Sequence, residues 1–265
     1  MSRMGQRLVI ADGYDQTFAA WCQDLPAHVA AADPSATIHH ARNHLVTLTA
    51  PGNLPVVVKQ FQGGISGGLR TLGRGSKARR SYAIAQELLH RQVPTPAPLA
   101  WVEHTTLGLI TASAYLCAAV DGATQVRQYL RNLELDGWQS VLPVVGRALA
   151  HAHRAGVIHH DLSPGNLICG TSPHLESDWQ LVDLNRIRFG TVRDAIHGAT
   201  LLDRLEARAP ERQRAMLEGY AASWDVDPET VIAAQAAARK RWLRANWLKS
   251  STRGLRRKLA GRSPS

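Results

Sequence analysis

The sequence predicts an α+β chain, with a small antiparallel sheet in its first part and a mostly helical second part. Thr37 to Leu48 and Val56 to Phe61 are rich in β-branched and apolar residues, and the turn signal Pro51-Gly52-Asn53 lies between them. That is the pattern of neighbouring antiparallel strands. Val141, Val144, Val145, Ala148 and Ala152 recur at helical spacing, as in an amphipathic helix with its apolar face inward. Beyond Ile196 the pattern is helical, with weak turns at Ala209-Pro210 and Asp225 to Pro228.

The remaining elements follow in order. Gly63 to Gly75 is glycine-rich and basic, which predicts a loop, since glycine leaves the backbone unrestrained. Ser76 to Arg91 predicts a helix, closed by Val93-Pro94-Thr95-Pro96 because proline cannot continue it. Pro98 to Val102 and Leu107 to Ala112 read as two further strands. The character changes after Asp121-Gly122; Gly156 ends the helix that contains Val141. Asn166 to Cys169 and Trp179 to Val182 are short strands on either side of a polar loop.

The chain has 265 residues, enough for one large domain or two small lobes sharing a cleft. Composition is that of an ordinary globular protein, 45% hydrophobic and 20% charged. No apolar run approaches the roughly 20 residues needed to cross a bilayer. Met1 to Leu8 is polar and lacks a signal-peptide core, so a cytoplasmic location is expected. Cys22, Cys117 and Cys169 are far apart and odd in number, which fits a reduced compartment and neither a disulfide framework nor a metal knuckle.

The formal charge of +10 is unevenly spread. Ten of the 31 basic residues fall between Arg239 and Arg262, a stretch with no acidic residue, so the body before it carries 21 of each sign. A neutral body with a basic tail points to one anionic partner surface and disfavours a protein coated in nucleic acid. Trp242, Leu243, Trp247, Leu248 and Leu255 interleave with the cations. The plain reading is a solvated end. The functional reading is an amphipathic segment on an anionic membrane, and tryptophan suits that interface better than it suits RNA phosphates.

His159-His160-Asp161-Leu162-Ser163-Pro164-Gly165-Asn166 fits H-x-D-x-x-x-x-N, the catalytic loop of protein-kinase-like enzymes. In that spacing an aspartate orients the acceptor hydroxyl, and an asparagine a few residues on reaches back to magnesium on the nucleotide. Leu181-Val182-Asp183-Leu184-Asn185-Arg186 sets an aspartate directly after a short apolar strand, where such enzymes keep a metal-binding aspartate. Val56-Val57-Val58-Lys59 resembles the strand lysine of V-A-I-K. Singly, each is weak: a His-x-Asp pair is usually a turn, a strand-end lysine is usually solvated, and an aspartate after a strand is often a turn former. Their joint order favours a kinase. The histidines at 39, 40, 151, 153, 159 and 160 find no Cys, Asp or Glu to complete a ligand set and read as structural or surface residues.

Ser76-Lys77-Ala78-Arg79-Arg80-Ser81-Tyr82 followed by Val93-Pro94-Thr95-Pro96-Ala97-Pro98-Leu99-Ala100, together with Arg42-Asn43 and Asp183-Leu184-Asn185-Arg186, resembles the lipopolysaccharide kinases that phosphorylate Kdo or heptose in the inner core. The resemblance runs from about Thr37 to Phe189, and more weakly to Tyr220. It implies a two-lobed protein-kinase-like fold: an N-terminal sheet lobe over 1–118, a mostly helical lobe over 119–238, and a basic tail over 239–265. It implies Asp161 as catalytic base or orienter, Asn166 and Asp183 as magnesium ligands, Lys59 as the phosphate-pairing lysine, and His159 as a brace for the loop. ATP and Mg2+ would be the cofactors, with adenine near Leu116 to Val120. The acceptor would be a lipid-linked glycan, reached at the cytoplasmic face of the inner membrane through Arg239 to Arg262.

Three departures from the pattern stand out. His39 to Val46, where a glycine-rich loop would lie, has no glycine. The helix glutamate that would pair with Lys59 is expected near Ser81, and the nearest acid, Glu87, is about two turns too late. Leu184 and Asn185 follow the metal-binding aspartate where Phe and Gly are usual. Apart from these three, Ser163 stands where protein kinases usually place a lysine, which weakens the case for a protein acceptor. The alternatives are therefore a protein or small-molecule kinase of the same fold, or an inactive pseudokinase that docks a membrane partner.

Overall fold

The computed structural model describes residues 4–40, 43–62 and 75–259. The predicted loop Gly63 to Gly75, apart from Gly75, and Arg42 lie outside them. The chain divides into two compact units, one of Met1–Ala123 with Gln180–Arg186, the other of Thr124–Trp179 with Ile187–Ser265.

The first unit is built on a six-stranded antiparallel sheet. Its strands are β1 (Met4–Ile10), β2 (Thr37–His40), β3 (Asn43–Ala50), β4 (Leu54–Gln62), β5 (Pro98–Thr106) and β6 (Leu109–Ala118), in the spatial order β1-β5-β6-β4-β3-β2. The predicted run Thr37 to Leu48 is thus two strands, and Pro51–Asn53 is the tight connection expected before β4. Strand β1 lies outside the elements that local pattern predicts, its only apolar run being Leu8-Val9-Ile10. Its backbone pairs with β5 from Met4↔Thr106 to Ile10↔Ala100, and partner availability, not local pattern, makes it a strand.

Side chains alternate across β4. Val56 and Val58 are fully buried and join Phe18, Cys22, Leu25, Val46, Leu99, Val102 and Leu116 in one cluster. Phe18, Cys22 and Leu25 come from two short helices, α1 (Gln16–Gln23) and α2 (Leu25–Ala30). Lys59 is therefore turned to the other face, where it sits opposite Leu45 of β3 and Tyr115 of β6.

Helix α3 (Lys77–His90) contributes Ser81, Tyr82, Ile84, Ala85 and Leu88 to the buried interior. Ser76 caps it, accepting from the Arg79 N–H at 3.0 Å, and the Ser76 N–H donates to the buried Glu103 at 3.2 Å. After α3 the prolines turn the chain as predicted, and this turn anchors Gln180–Arg186: the Leu181 N–H donates to Pro94 O at 2.9 Å, and the Thr95 hydroxyl to Leu181 O at 2.8 Å.

The second unit is mostly helical: α4 (Val126–Arg131), α5 (Trp138–Arg154), α6 (Ala195–Thr200), α7 (Pro210–Ser223) and α8 (Pro228–Leu259). Val141, Val144, Val145 and Ala152 are buried on α5 as the periodicity requires, while Ala148 is only partly covered. Helices α5 and α7 cross at glycines. A side chain on Gly146 would run into the Met216 carbonyl, and one on Gly219 into the Pro143 backbone. Arg212, 3% exposed, donates to the carbonyls of Tyr129, Asn132, Leu133 and Leu135, satisfying the loop after α4. The predicted basic tail begins inside α8, which continues from Pro228 to Leu259 without a break at Arg239. No helix among the described residues is long and apolar enough to cross a membrane.

Candidate active site

Each unit carries two of the four expected site residues. In the first unit, Lys59 Nζ lies 2.6 Å from Asp183 Oδ1, a hydrogen-bonded ion pair across 124 positions of sequence. The lysine is held on a central strand by β3 and β6, and Phe61, two residues on and so on the same face, has its ring 5.7 Å from the ammonium. Asp183 has φ of 57°. This left-handed conformation is uncommon outside glycine but tolerated by Asp, and it is the kind of local strain that clusters at functional sites.

Ser81, the position expected for the helix glutamate, is buried. It accepts from Asn185 Nδ2 at 2.8 Å, and Asn185 Oδ1 accepts from Arg80 Nε at 3.1 Å. Helix α3 is thus tied to the segment after Asp183 by amide and guanidinium hydrogen bonds, and Lys59 pairs with Asp183 directly. Glu87 is engaged elsewhere, with Arg91 at 2.6 Å. Leu116, at the expected adenine position, is completely buried. The N–H groups of Ala118 and Ala119 donate to the Ala97 and Pro55 carbonyls.

In the second unit, the strand Val157–His159 pairs with Ile187–Phe189, placing His159 opposite Ile187. His159 is 5% exposed, and its Nδ1 accepts from the Asp161 N–H at 3.1 Å. An accepting Nδ1 puts any ring proton on Nε2. Asn166 closes the loop from the other end: its Nδ2 donates to the Asp161 carbonyl at 2.7 Å, and its N–H donates to Ser163 O at 2.9 Å. With the amide nitrogen so used, Asn166 keeps Oδ1 as an acceptor. The Asp161 carboxylate is 27% exposed and forms an ion pair with Arg204, which lies just beyond α6. Sequence reasoning missed Arg204; it belongs to no motif, and only the tertiary fold brings it to the loop.

Asp183 in the first unit and Asn166 in the second each carry a hard oxygen donor, the chemistry that Mg2+ selects. Among the described residues no group of three or more His, Cys, Asp or Glu side chains is placed to hold a metal ion. His153 is buried and shares a 2.8 Å hydrogen bond with Tyr220. Burial, reinforced by nearby His197, pushes its pKa down from 6.5 to about 4.

The model of the lipopolysaccharide kinase (Kdo/WaaP) family matches residues 69–218, more than half of the 265. The chain belongs to the lipopolysaccharide kinase (Kdo/WaaP) family. Among curated proteins it is similar to 3-deoxy-D-manno-octulosonic acid kinase of Xanthomonas oryzae pv. oryzae (strain PXO99A), 29% identical over 143 residues, 52% of this chain and 54% of that protein. The enzyme of the same description from Stenotrophomonas maltophilia (strain K279a) is 28% identical over 145 residues, 52% and 55% of the two chains. The match thus spans about half the length of these relatives. A solved structure titled "WaaP in complex with acyl carrier protein" aligns with a TM-score of 0.57 over 92% of this chain and 98% of that one, at 15% identity. That likeness is one of fold, and it bears out the α+β architecture with an N-terminal sheet and a helical C-terminal part.

Proposed function

We propose that the chain is an ATP-dependent kinase that transfers the γ-phosphoryl group of MgATP to a sugar hydroxyl, Kdo or heptose, of the lipopolysaccharide inner core. The observation that carries this reading is the Lys59–Asp183 pair at 2.6 Å, in a chain of this family whose catalytic-loop motif is held in shape at both ends. Lys59 supplies a positive charge for phosphate oxygens, and Asp183 and Asn166 supply oxygens for Mg2+. The ion, when bound, neutralises phosphate charge that builds up in transfer. Asp161 orients the acceptor hydroxyl and receives its proton as the oxygen bonds to the γ-phosphorus and the bond from that phosphorus to ADP breaks. Little covalent chemistry is asked of the protein; positioning and charge complementarity do the work.

The same reading puts the enzyme at the cytoplasmic face of the inner membrane, where a lipid-linked acceptor would be met. The exposed Lys240, Arg241 and Arg244 of α8, with Leu243 and Trp247 also exposed, are the surface that supports it. Incubation with labelled ATP and extracted core glycolipid, beside a generic protein acceptor, tests the function. Label entering the glycolipid alone is expected. Label entering only the protein would replace the sugar kinase with a protein kinase.

A further inference from the structure

The Asp161 carboxylate that should receive the hydroxyl proton is paired with the Arg204 guanidinium. A guanidinium on the catalytic carboxylate occupies a lone pair the hydroxyl needs. Arg204 is nonetheless built in. Its guanidinium lies over the Trp242 ring at 5.6 Å, and Arg239 lies over the same ring at 4.7 Å. Arg239 is anchored in turn by the Glu206 carboxylate and the Asp203 carbonyl. The acidic residues nearest Arg204 in sequence thus hold Arg239, and Trp242 gives Arg204 an aromatic support.

Two properties of the pair define what it can do. Its side chains are 35% and 27% exposed, so an incoming anion can reach it, and a partly solvated pair of this kind is weak enough to exchange. A guanidinium also offers its donors as a planar fork that matches a carboxylate in two-point geometry. Arg127 of α4 brings a second guanidinium to the loop: a side-chain carbon on Gly165 would lie 2.7 Å from its Nη2.

We infer that Arg204 is the specificity-determining residue for a carboxylate on the acceptor: the acidic sugar takes the guanidinium from Asp161 and so frees that carboxylate for its own hydroxyl. The inference rests on the sugar-kinase reading and deepens it, because it selects an acidic sugar such as Kdo over a neutral heptose. A neutral hydroxyl compound brings nothing to exchange for Arg204 and leaves Asp161 paired.

The test uses the full chain and two readouts. The first is calorimetric titration with free Kdo and with its methyl ester, for wild type, Arg204→Gln and Arg204→Lys. Wild type should prefer the acid over the ester. Arg204→Gln should weaken acid binding by about ten- to a hundredfold, the range of one charge-assisted contact, and leave the ester unchanged, with partial recovery in Arg204→Lys. The second is steady-state phosphorylation of Kdo-terminated glycolipid, where Arg204→Gln should raise the acceptor KM and leave the KM for ATP unchanged. Equal weakening of acid and ester would reduce Arg204 to a structural residue and overturn the inference, as would a wild type with no preference for the acid. Arg204-dependent binding of the acid without phosphorylation of any glycolipid would uphold the inference and sink the kinase reading alone.

Discussion

Replacing His153 by glutamine should flatten the acid sensitivity of the second unit. His153 stands near the end of α5, 3% exposed, with Nδ1 2.8 Å from the Tyr220 hydroxyl of α7. Gly198 of α6 closes over the pair so tightly that a side-chain carbon there would lie 2.9 Å from His153 Nδ1 and collide with the Tyr220 hydroxyl. A proton on His153 must therefore be buried without water, and His197 adds repulsion, which is why the pKa falls from 6.5 to about 4. Because the folded value is depressed, the unfolded chain binds the extra proton between those two values. Stability is then complete above about pH 6.5 and is lost as pH falls. The single-site linkage expression gives a loss of about 2 kcal/mol between about pH 7 and about pH 5, approaching about 3 kcal/mol in stronger acid. Urea unfolding of wild type and His153→Gln, followed by far-ultraviolet circular dichroism across that range, should show the wild-type stability falling more steeply by this amount. The comparison is between slopes, so a uniformly less stable variant does not disturb it. Parallel pH profiles would refute the argument that His153 is held neutral.

Asp161→Asn should abolish transfer to glycolipid while leaving circular dichroism and nucleotide affinity near wild type, since it removes the proton acceptor at constant size; turnover within tenfold of wild type would rule out the assigned role. MgATP should raise the melting temperature more than ATP with a chelator does, and Asp183→Ala should erase that difference; no shift in wild type at millimolar MgATP would favour a module without nucleotide. Gly219→Ala should destabilise the second unit by about 2 kcal/mol or more, because its methyl meets the Pro143 backbone and overpacking carries that order of cost; chemical denaturation reads it, and a neutral result would mean that the α5–α7 crossing relaxes freely. Changing Lys240, Arg241 and Arg244 together to glutamine should cut binding to anionic vesicles in co-sedimentation, at about 1 kcal/mol per cation at most, and the residual binding should be less salt-sensitive; unchanged binding would leave this face as solvated surface.

Local pattern was enough to determine most of the scaffold. The strands around Lys59, the capped helix after Ser76, the proline turn at 93–96 and the helix ending at Gly156 are each marked by residues whose own backbone preferences dictate them. The motif spacing around Asp161 and Asn166 was equally legible, because the loop's hydrogen bonds run between residues two to five apart. What the sequence could not carry is pairing over long separations. Strand β1 exists because β5, about ninety residues on, offers it an edge. Ser81 and Asn185 meet across 104 positions, so a helix without the expected glutamate still ties to the segment beside Asp183. Arg204 reaches Asp161, and Trp242 leaves the basic stretch to support Arg204, only once the second unit has packed. No short-range preference encodes which distant charge a carboxylate will face; the packed tertiary structure decides it, because only there are the two brought within reach of each other.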